Sequence, residues 1–201
     1  MRPLAATALL ALAALPLPAL AQEEQPAEGT AAAAATDEAM ADASQSRGAT
    51  GALVNAEGAE IGNVSISFLP SGIALVTANA EGVPEGVHGW HVHAVGACEG
   101  PGFESAGPHI AGDRQHGVAS EEGPHPGDLP NVTVQSDGVL AADGFAVGLT
   151  MDMVFDGDGT AVVLHAEPDD YTTQPGGASG ARIACAVIQT PPNPEEGQSG
   201  G

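Results

Sequence analysis

Lysine is absent from this 201-residue chain, and only four arginines stand against 26 aspartates and glutamates, which gives a formal net charge of −22 at pH 7. A surface so poor in positive charge repels phosphate groups, so we expect neither nucleic acid nor an anionic lipid surface as a partner. We interpret the acidity as a means of staying soluble. The shortage also makes each arginine conspicuous as a candidate functional residue.

Cysteine is scarce as well, because the chain contains only Cys98 and Cys185. In an oxidising compartment two such residues form a single disulfide bond, and with only two the pairing is unambiguous. Two buried free thiols are the alternative. Which of them applies depends on whether the protein is exported.

Long apolar runs are limited to one, from Leu4 to Leu20, followed by Gln22 after the small-residue sequence Ala19-Leu20-Ala21. This pattern predicts a secretory signal peptide over residues 1–21 that is removed at an A-x-A site. A retained membrane anchor is the alternative, disfavoured by the shortness of the run and by its two prolines. We therefore expect an exported protein, periplasmic or extracellular, with no membrane insertion after cleavage.

The composition on either side of the central region predicts two loose segments. Residues 22–48 form an acidic, Ala-rich leader with almost no large apolar side chain, and residues 190–201 form a tail of Pro, Glu and Gly. Neither can bury enough apolar surface to offset its ordering entropy, so a flexible leader and a disordered tail are expected. The folded domain is predicted at residues 49–189.

Within that domain the apolar residues alternate with a period of two, and no convincing amphipathic helix is present. Eight short strands are predicted, and together they indicate an all-β antiparallel sandwich or barrel. The strands are Gly51–Asn55, Val64–Phe68, Ile73–Thr77, Val87–His93, Val132–Val134, Phe145–Leu149, Thr160–His165 and Ile183–Ile188.

Two long segments, 94–128 and 166–181, lie between predicted strands and lack the alternating pattern. Long loops in compact domains usually carry function. The first contains His109, His116 and His125, and the second directly follows His165. Histidines gathered in and beside loops are the distribution expected when loops carry a site and a sheet holds it still.

The histidines themselves indicate a metal site. His91 and His93 are two residues apart on a predicted strand and so project from one face, whereas His88 projects from the other face and is expected to be structural. Imidazole suits copper and zinc, and three imidazoles with one carboxylate make a reasonable tetrahedral zinc set. His109 can join either of two groups, or both. The groups are His91, His93 and His165 on strands, and His116, His125 and Asp128 in the first loop.

Taken together, several motifs resemble copper/zinc superoxide dismutase over about residues 51–188. The segments Gly96-Ala97-Cys98 and Asp169-Asp170-Tyr171 resemble the exported bacterial branch of the family more than the cytosolic eukaryotic one. The motifs are His91-Val92-His93, Ser105-Ala106-Gly107-Pro108-His109, His116-Gly117, His125-Pro126-Gly127-Asp128-Leu129-Pro130-Asn131, His165 with Asp169-Asp170, and Gly180-Ala181-Arg182-Ile183-Ala184-Cys185.

The resemblance implies an eight-stranded antiparallel Greek-key barrel or flattened sandwich with two long functional loops. It implies an enzyme that dismutes superoxide to dioxygen and hydrogen peroxide, with a copper ion that cycles between two oxidation states and a structural zinc ion. His109 would bridge the two metals and carry a proton. The implied ligands are His91, His93, His109 and His165 for copper, and His109, His116, His125 and Asp128 for zinc.

Other residues receive roles from the same resemblance. Arg182 would sit over the copper and orient the superoxide anion, and Asp169 would hydrogen-bond the copper ligand His91 and the zinc ligand His116. A disulfide between Cys98 and Cys185 would tie the first long loop to the last strand. Monomer and homodimer both stay open.

Two other functions fit the same residues. One is a non-catalytic protein that buffers or delivers copper or zinc, and the other is a structural domain with a vestigial site. Arg182 favours the enzyme, because a metal store needs no group to orient an anion. The chain departs from the eukaryotic pattern in the segment between His109 and His116, which is one residue shorter, and its second loop contains no lysine.

Overall fold

A computed structural model describes residues 48–189. The signal peptide, the tail and all but the last residue of the leader lie outside the described residues. Within the described part, no helix is long and apolar enough to cross a membrane.

The described chain is almost entirely β-structure. Seven strands form one antiparallel sheet in the order β5-β8-β9-β1-β2-β3-β7, and β4 pairs with β6 in a small second sheet. The expected all-β antiparallel fold is confirmed. The strands are β1 Gly48–Asn55, β2 Glu60–Phe68, β3 Ala74–Ala80, β4 Gly86–His88, β5 Trp90–His93, β6 Val132–Val134, β7 Leu140–Ala146, β8 Thr160–His165 and β9 Arg182–Ile188. A single-turn helix α1, Met151–Val154, and a short 3₁₀ turn, Glu104–Ala106, are the helical pieces described.

Nine strands are described rather than the predicted eight, because the segment Val87–His93 is divided at Gly89. The N–H of Gly89 donates to the carbonyl of Glu167 at 2.9 Å, and its carbonyl accepts from the N–H of His165 at 2.8 Å. The two halves consequently pair in different sheets, β4 with β6 and β5 with β8. A Cβ on Gly89 would lie 2.8 Å from the hydroxyl of Ser179, so this close approach requires glycine.

The predicted strand Ile73–Thr77 corresponds to β3, whose buried face is not the one that carries Leu75 and Thr77. The buried residues are Ala74, Val76 and Ala78, which are at most 1% exposed. The large side chains of β3 therefore lie on the outer face, and the core beneath this strand is lined by small ones.

The predicted strand at Phe145–Leu149 is displaced along the chain, since β7 runs from Leu140 to Ala146. Phe145 is 57% exposed, and the inward position beside it belongs to Gly144. A Cβ on Gly144 would lie 2.8 Å from Cζ2 of Trp90. The indole occupies the space that a larger inward side chain on β7 would need.

Strand β5 is buried on both faces, and this places the histidines. Trp90 and Val92 belong to the main hydrophobic core, and the indole N–H of Trp90 donates to the carbonyl of Pro130 at 2.6 Å. His91 and His93 project from the opposite face and are also 0% exposed. Because side chains alternate along a strand, one short element anchors the core and presents two imidazoles beneath the long loops.

The first long loop is fixed to the sheet by its own small core and by a covalent bond. Phe103 and Ala106 pack with Ala161 and Val163 of β8, and with Cys185 of β9. Cys185 forms the predicted disulfide with Cys98, with a Cα–Cα distance of 5.7 Å. The residues that follow Cys98 are thus held against β8 and β9.

Candidate metal centre

Four histidines converge above β5 and β8. His91 and His93 come from β5, His165 ends β8, and His109 comes from the first loop through an isolated β-bridge to His93. One ring nitrogen from each of the four lies within 4.8 Å of the others. All four residues are buried, the most exposed at 8%. We call this set the four-histidine group.

Hydrogen bonds orient three of these rings and leave their second nitrogens free. Nε2 of His91 lies 2.8 Å from Oδ2 of Asp169, Nδ1 of His93 lies 2.8 Å from the carbonyl of Gly107, and Nδ1 of His165 lies 3.4 Å from the carbonyl of Gly180. Within residues 48–189, Nδ1 of His91, Nε2 of His93 and Nε2 of His165 are buried without a hydrogen-bond partner. A buried polar atom without a partner is costly, and a ring nitrogen whose other nitrogen is fixed is the arrangement of a metal ligand. The donor set fits a metal ion.

Burial also keeps these imidazoles neutral. It lowers the pKa of His91 to about 4, that of His93 to about 2 and that of His165 to about 3. Only the neutral ring offers a lone pair to a metal, so these groups are in their binding form throughout the physiological range.

A second group surrounds one oxygen of Asp128. Its Oδ1 lies 3.0 Å from Nδ1 of His109, 3.0 Å from Nδ1 of His116 and 3.3 Å from Nδ1 of His125. Oδ2 accepts from the N–H of Gly117 at 2.8 Å and of His125 at 3.0 Å. Burial alone would raise the pKa of Asp128, but hydrogen bonds from His109 and His116 hold that pKa well below its usual range. The carboxylate is charged and directed at three imidazoles, a donor set that fits zinc.

The two groups overlap at His109 and are close at His91. Ligand atoms of His91, His109, His116 and Asp128 also lie within 4.8 Å of one another, whereas His125 is outside that set. His91 is included because its ring stacks on that of His109, with centroids 4.0 Å apart. We place His91 in the four-histidine group, because Nε2 is engaged by Asp169 and Nδ1 is its free atom. His125 faces Asp128, so we place it in the second group.

Asp169 contacts one histidine ring of each group, in both cases at Nε2. Its Oδ2 contacts Nε2 of His91 at 2.8 Å, and its Oδ1 contacts Nε2 of His116 at 3.0 Å. Burial would raise the pKa of Asp169, but hydrogen bonds from His116 and His91 lower it. Burial in turn would lower the pKa of His116, and the Asp128 and Asp169 carboxylates raise it to about 9. One carboxylate thus orients a ring in each group.

Gly177 is a site residue that the sequence reasoning missed. A Cβ at this position would lie 2.0 Å from Oδ1 of Asp169 and 2.7 Å from Nε2 of His116. Its φ of +71° also favours glycine. The doublet Gly176-Gly177 inside a functional loop was the available signal, because adjacent glycines commonly mark a close approach of backbone to a site.

Arg182 begins β9 directly opposite His165 in the register of β8 and β9. Its Nη1 donates to the carbonyl of Phe103 at 2.6 Å and its Nη2 to the carbonyl of Gly107 at 2.8 Å. These bonds use two of the five N–H donors of a guanidinium and fix its plane. The side chain lines a surface cleft together with Glu104, Gly180 and Ala181.

His88 lies outside both groups, as expected. Its Nδ1 lies 2.8 Å from the carbonyl of His165 and its Nε2 lies 2.9 Å from the carbonyl of Pro84. Both ring nitrogens are therefore engaged by the backbone, and the side chain has a structural role.

Comparison with known proteins shows the family to which this chain belongs. The family model for copper/zinc superoxide dismutase (SODC) matches residues 60–188. The superoxide dismutase [Cu-Zn] of Caulobacter vibrioides is 36% identical over 149 residues, which cover 70% of this chain and 85% of the relative. The chain belongs to the copper/zinc superoxide dismutase family.

Solved structures from this family have the same fold. The Cu/Zn superoxide dismutase from Brucella abortus aligns with a TM-score of 0.60 and 30% identity, covering 71% of this chain and 99% of that one. A SOD-like protein from Bacillus subtilis aligns with a TM-score of 0.65 and 34% identity, covering 69% and 97% respectively. The relatives described here are bacterial, in agreement with the branch that the sequence resembles.

Proposed function

We propose that this protein is an exported superoxide dismutase that converts superoxide to dioxygen and hydrogen peroxide. The observation that carries the proposal is the set of three buried, unpartnered ring nitrogens beside a fixed guanidinium. The proposed copper ligands are His91, His93, His109 and His165. The proposed zinc ligands are His109, His116, His125 and Asp128.

Each ring is assigned through one stated nitrogen. In the four-histidine group the free atoms are Nδ1 of His91 and Nε2 of His93 and His165. In the second group all three histidines present Nδ1 to Asp128. His109 uses Nδ1 toward Asp128, so its Nε2 is the atom left for the four-histidine group. This geometry supports His109 as a ligand shared by both metals.

Copper, when bound, would supply the one-electron redox chemistry that dismutation of two superoxide anions requires. The chain's own residues supply the rest. Nε2 of His109 would carry one proton to the reduced substrate, and the second proton of hydrogen peroxide would come from solvent. In the metal-free protein Oδ1 of Asp128 orients the His109 ring through Nδ1, and with zinc bound both groups would be ligands of that ion.

Arg182 provides the docking charge for the anion. A guanidinium stays protonated at any physiological pH and presents N–H donors in a fixed plane. The carbonyls of Phe103 and Gly107 hold that plane at the edge of the four-histidine group. Superoxide is thereby oriented next to the position where its electron is exchanged.

Export is proposed on the signal-peptide pattern of residues 1–21 and is supported by the disulfide between Cys98 and Cys185, since such bonds persist in oxidising compartments. We retain the folded domain at residues 49–189 as part of the same proposal.

A non-catalytic metal-binding protein is the second candidate, because a Bacillus subtilis relative is named only superoxide dismutase-like. The two candidates differ in their need for Arg182. Metal storage uses the imidazoles and Asp128 alone, whereas dismutation also needs the anion to be oriented.

The test is metal analysis and a dismutation assay on the mature protein loaded with copper and zinc. We expect one copper and one zinc per chain and a rate well above that of the metal-free protein. Free copper at the same concentration, with excess chelator, controls for unbound metal. Full loading without activity would overturn the enzyme and leave the storage function.

A further inference from the structure

We propose that Asn131 and Gln174 are a reciprocal pair of positioning residues that hold the two long loops together at the zinc site. Each side-chain amide hydrogen-bonds the backbone N–H and C=O of one candidate metal-site residue in the other part of the chain. Asn131 binds Asp169 in this way, and Gln174 binds His116. The inference rests on the proposed function for the identity of the metal, but not for the contacts themselves.

Asn131 is the last residue before β6, three positions beyond the first long segment, and it makes a two-bond contact with Asp169. Its Nδ2 donates to the carbonyl of Asp169 at 2.8 Å, and its Oδ1 accepts from the N–H of Asp169 at 2.8 Å. The backbone N–H of Asn131 also donates to the hydroxyl of Tyr171 at 2.8 Å. The main chain of Asp169 is thus fixed by a residue 38 positions earlier in the chain.

Gln174 makes the same contact in the opposite direction. Its Oε1 accepts from the N–H of His116 at 2.9 Å, and its Nε2 donates to the carbonyl of His116 at 2.9 Å. Nε2 also lies 3.0 Å from the carbonyl of Thr172 in its own loop, which uses the second hydrogen of the amide. The main chain of His116 is therefore held by a residue 58 positions later.

These contacts meet at one interaction, the hydrogen bond between Oδ1 of Asp169 and Nε2 of His116 at 3.0 Å. Neither residue lies in a strand or helix, because segments 94–128 and 166–181 contain only the short turn Glu104–Ala106 as a regular element. Their backbones depend on contacts between loops for their position. With both backbones held, the His116 ring is aimed at Asp128 before a metal ion arrives.

Only an amide can make both bonds of such a contact. It offers a donor and an acceptor in one plane, which pair with the C=O and the N–H of one residue. A carboxylate of the same size keeps the acceptor but sets an oxygen against the backbone carbonyl. Asn131→Asp and Gln174→Glu therefore remove one bond of each pair at constant volume and are sharper probes than truncation.

The experiment measures zinc affinity by competition with a chromogenic chelator in the copper-free protein. The variants are Asn131→Asp, Gln174→Glu and the double variant, with Asn63→Asp and Gln135→Glu on the exposed part of the sheet region as charge-matched controls. We expect each loop variant to raise the zinc dissociation constant about tenfold or more, the usual effect of losing a contact behind a metal ligand. The controls should change it less than twofold.

The double variant tests whether the two contacts act together. Both contacts serve the same Asp169–His116 interaction, so their losses should not add: the double variant should be only slightly weaker than the worse single variant. Additive losses would show two unrelated stabilising contacts and would overturn the reciprocal pair. Cobalt placed in the zinc site gives an independent readout, since a misaimed His116 ring changes its visible absorption band.

A metal-independent readout separates this inference from the proposed function. In the metal-free protein the N–H at Nε2 of His116 should give a protected imidazole proton signal in NMR, because it is buried against Asp169. Either loop variant should lose that signal while the His88 signals stay. If zinc fails to bind the wild type but this signal behaves as expected, the proposed function fails and the pair stands. If zinc binds wild type and variants equally and the signal persists, the pair is wrong and the proposed function stands.

Discussion

Arg182 and His93 share a single hydrogen-bond acceptor, the carbonyl oxygen of Gly107. Nη2 of Arg182 donates to it at 2.8 Å, and Nδ1 of His93 lies 2.8 Å away as well. A proposed copper ligand and the residue proposed to orient the substrate are therefore aligned by the same peptide unit. A shift of the first loop at Gly107 would displace both.

Replacing Arg182 with Ala should lower the dismutation rate by about tenfold or more, because a hydrogen bond to a charged group contributes about 1.5 kcal/mol or more. Copper content should not change, since His93 keeps the carbonyl of Gly107 as its partner. Arg182→Lys retains the positive charge but not the planar guanidinium. Its dismutation rate should therefore lie between that of the wild type and that of Arg182→Ala. The measurements are the rate and the copper content of the same samples. Loss of copper in Arg182→Ala would mean that its role is misassigned.

His165 and His125 provide a matched pair of single-site ligand removals. His165→Ala should weaken copper binding before zinc binding, because its free Nε2 belongs to the four-histidine group. His125→Ala should do the reverse, because its Nδ1 faces Asp128. Metal content after dialysis against graded chelator checks both. If both variants lost the same metal first, the division into two groups would be wrong.

Glu104 should slow the capture of anions at Arg182. The two residues line one cleft, and the Glu104 charge acts to raise the pKa of Arg182 against the lowering effect of burial. Glu104→Gln should raise the rate about twofold at low ionic strength, since an exposed charge contributes a few tenths of a kcal/mol. Glu60→Gln on β2 is the control for net charge.

The same electrostatics predict the salt dependence of the wild type. With a net charge of −22, the protein repels an anionic substrate at long range, and salt screens that repulsion beyond about 10 Å at 0.1 M. The rate should rise, or barely fall, as ionic strength increases. A steep decline would contradict this expectation, because it would require a strong attractive field.

The metal-free protein should lose stability in acid. The pKa values of His91, His93 and His165 lie near 4, 2 and 3, below the unfolded value of 6.5. As pH falls through 6.5, the unfolded chain therefore binds protons before the folded one does. At pH 5.5 each of the three groups lowers the free energy of unfolding by about 1.4 kcal/mol. His116 acts in the opposite direction, because its pKa of about 9 in the folded protein lies above the unfolded value of 6.5. Its stabilising effect is fully present below pH 6.5 and is lost as pH rises through 9.

From pH 7.5 to 5.5 we therefore expect a net fall of about 3 kcal/mol in the free energy of unfolding, since His116 offsets about 1 kcal/mol of the loss. Urea unfolding of the metal-free, disulfide-intact protein at both pH values measures it. His93→Gln does not titrate at this position and should show a fall smaller by about 1.4 kcal/mol. Equal stability at the two pH values would mean that these rings are not kept neutral by burial.

The structure brings the candidate histidines together, and the sequence could indicate this because metal-ligand patterns are local. A period of two on a strand is enough to place His91 and His93 on one face, and the spacing of His125 and Asp128 makes them neighbours. The strands Val132–Val134 and Thr160–His165 matched for a similar reason, since each is a short apolar run between turn residues.

The displaced strand at β7 has a cause that lies on another strand. Prediction from hydrophobicity assigns the larger apolar side chain to the core, but here the indole of Trp90 occupies the space next to Gly144, and Phe145 is exposed. The inward residue is small because a residue from another strand is large. No local pattern contains that information. The sequence could not indicate the contacts of Asn131 and Gln174 either. An amide that hydrogen-bonds a distant backbone segment produces no periodic pattern in the sequence.

The disulfide sets an order of events in the life of the chain. Cys185 follows Cys98 by 87 residues, so the bond cannot close until nearly the whole domain has been synthesised. Until it closes, the loop carrying Phe103 and Gly107 is not covalently tied to the strand that carries Arg182. Oxidation would thus act as a maturation step: a newly made chain in a reducing environment would have its core strands, but the proposed anion site would gain its covalent tie only where thiols are oxidised.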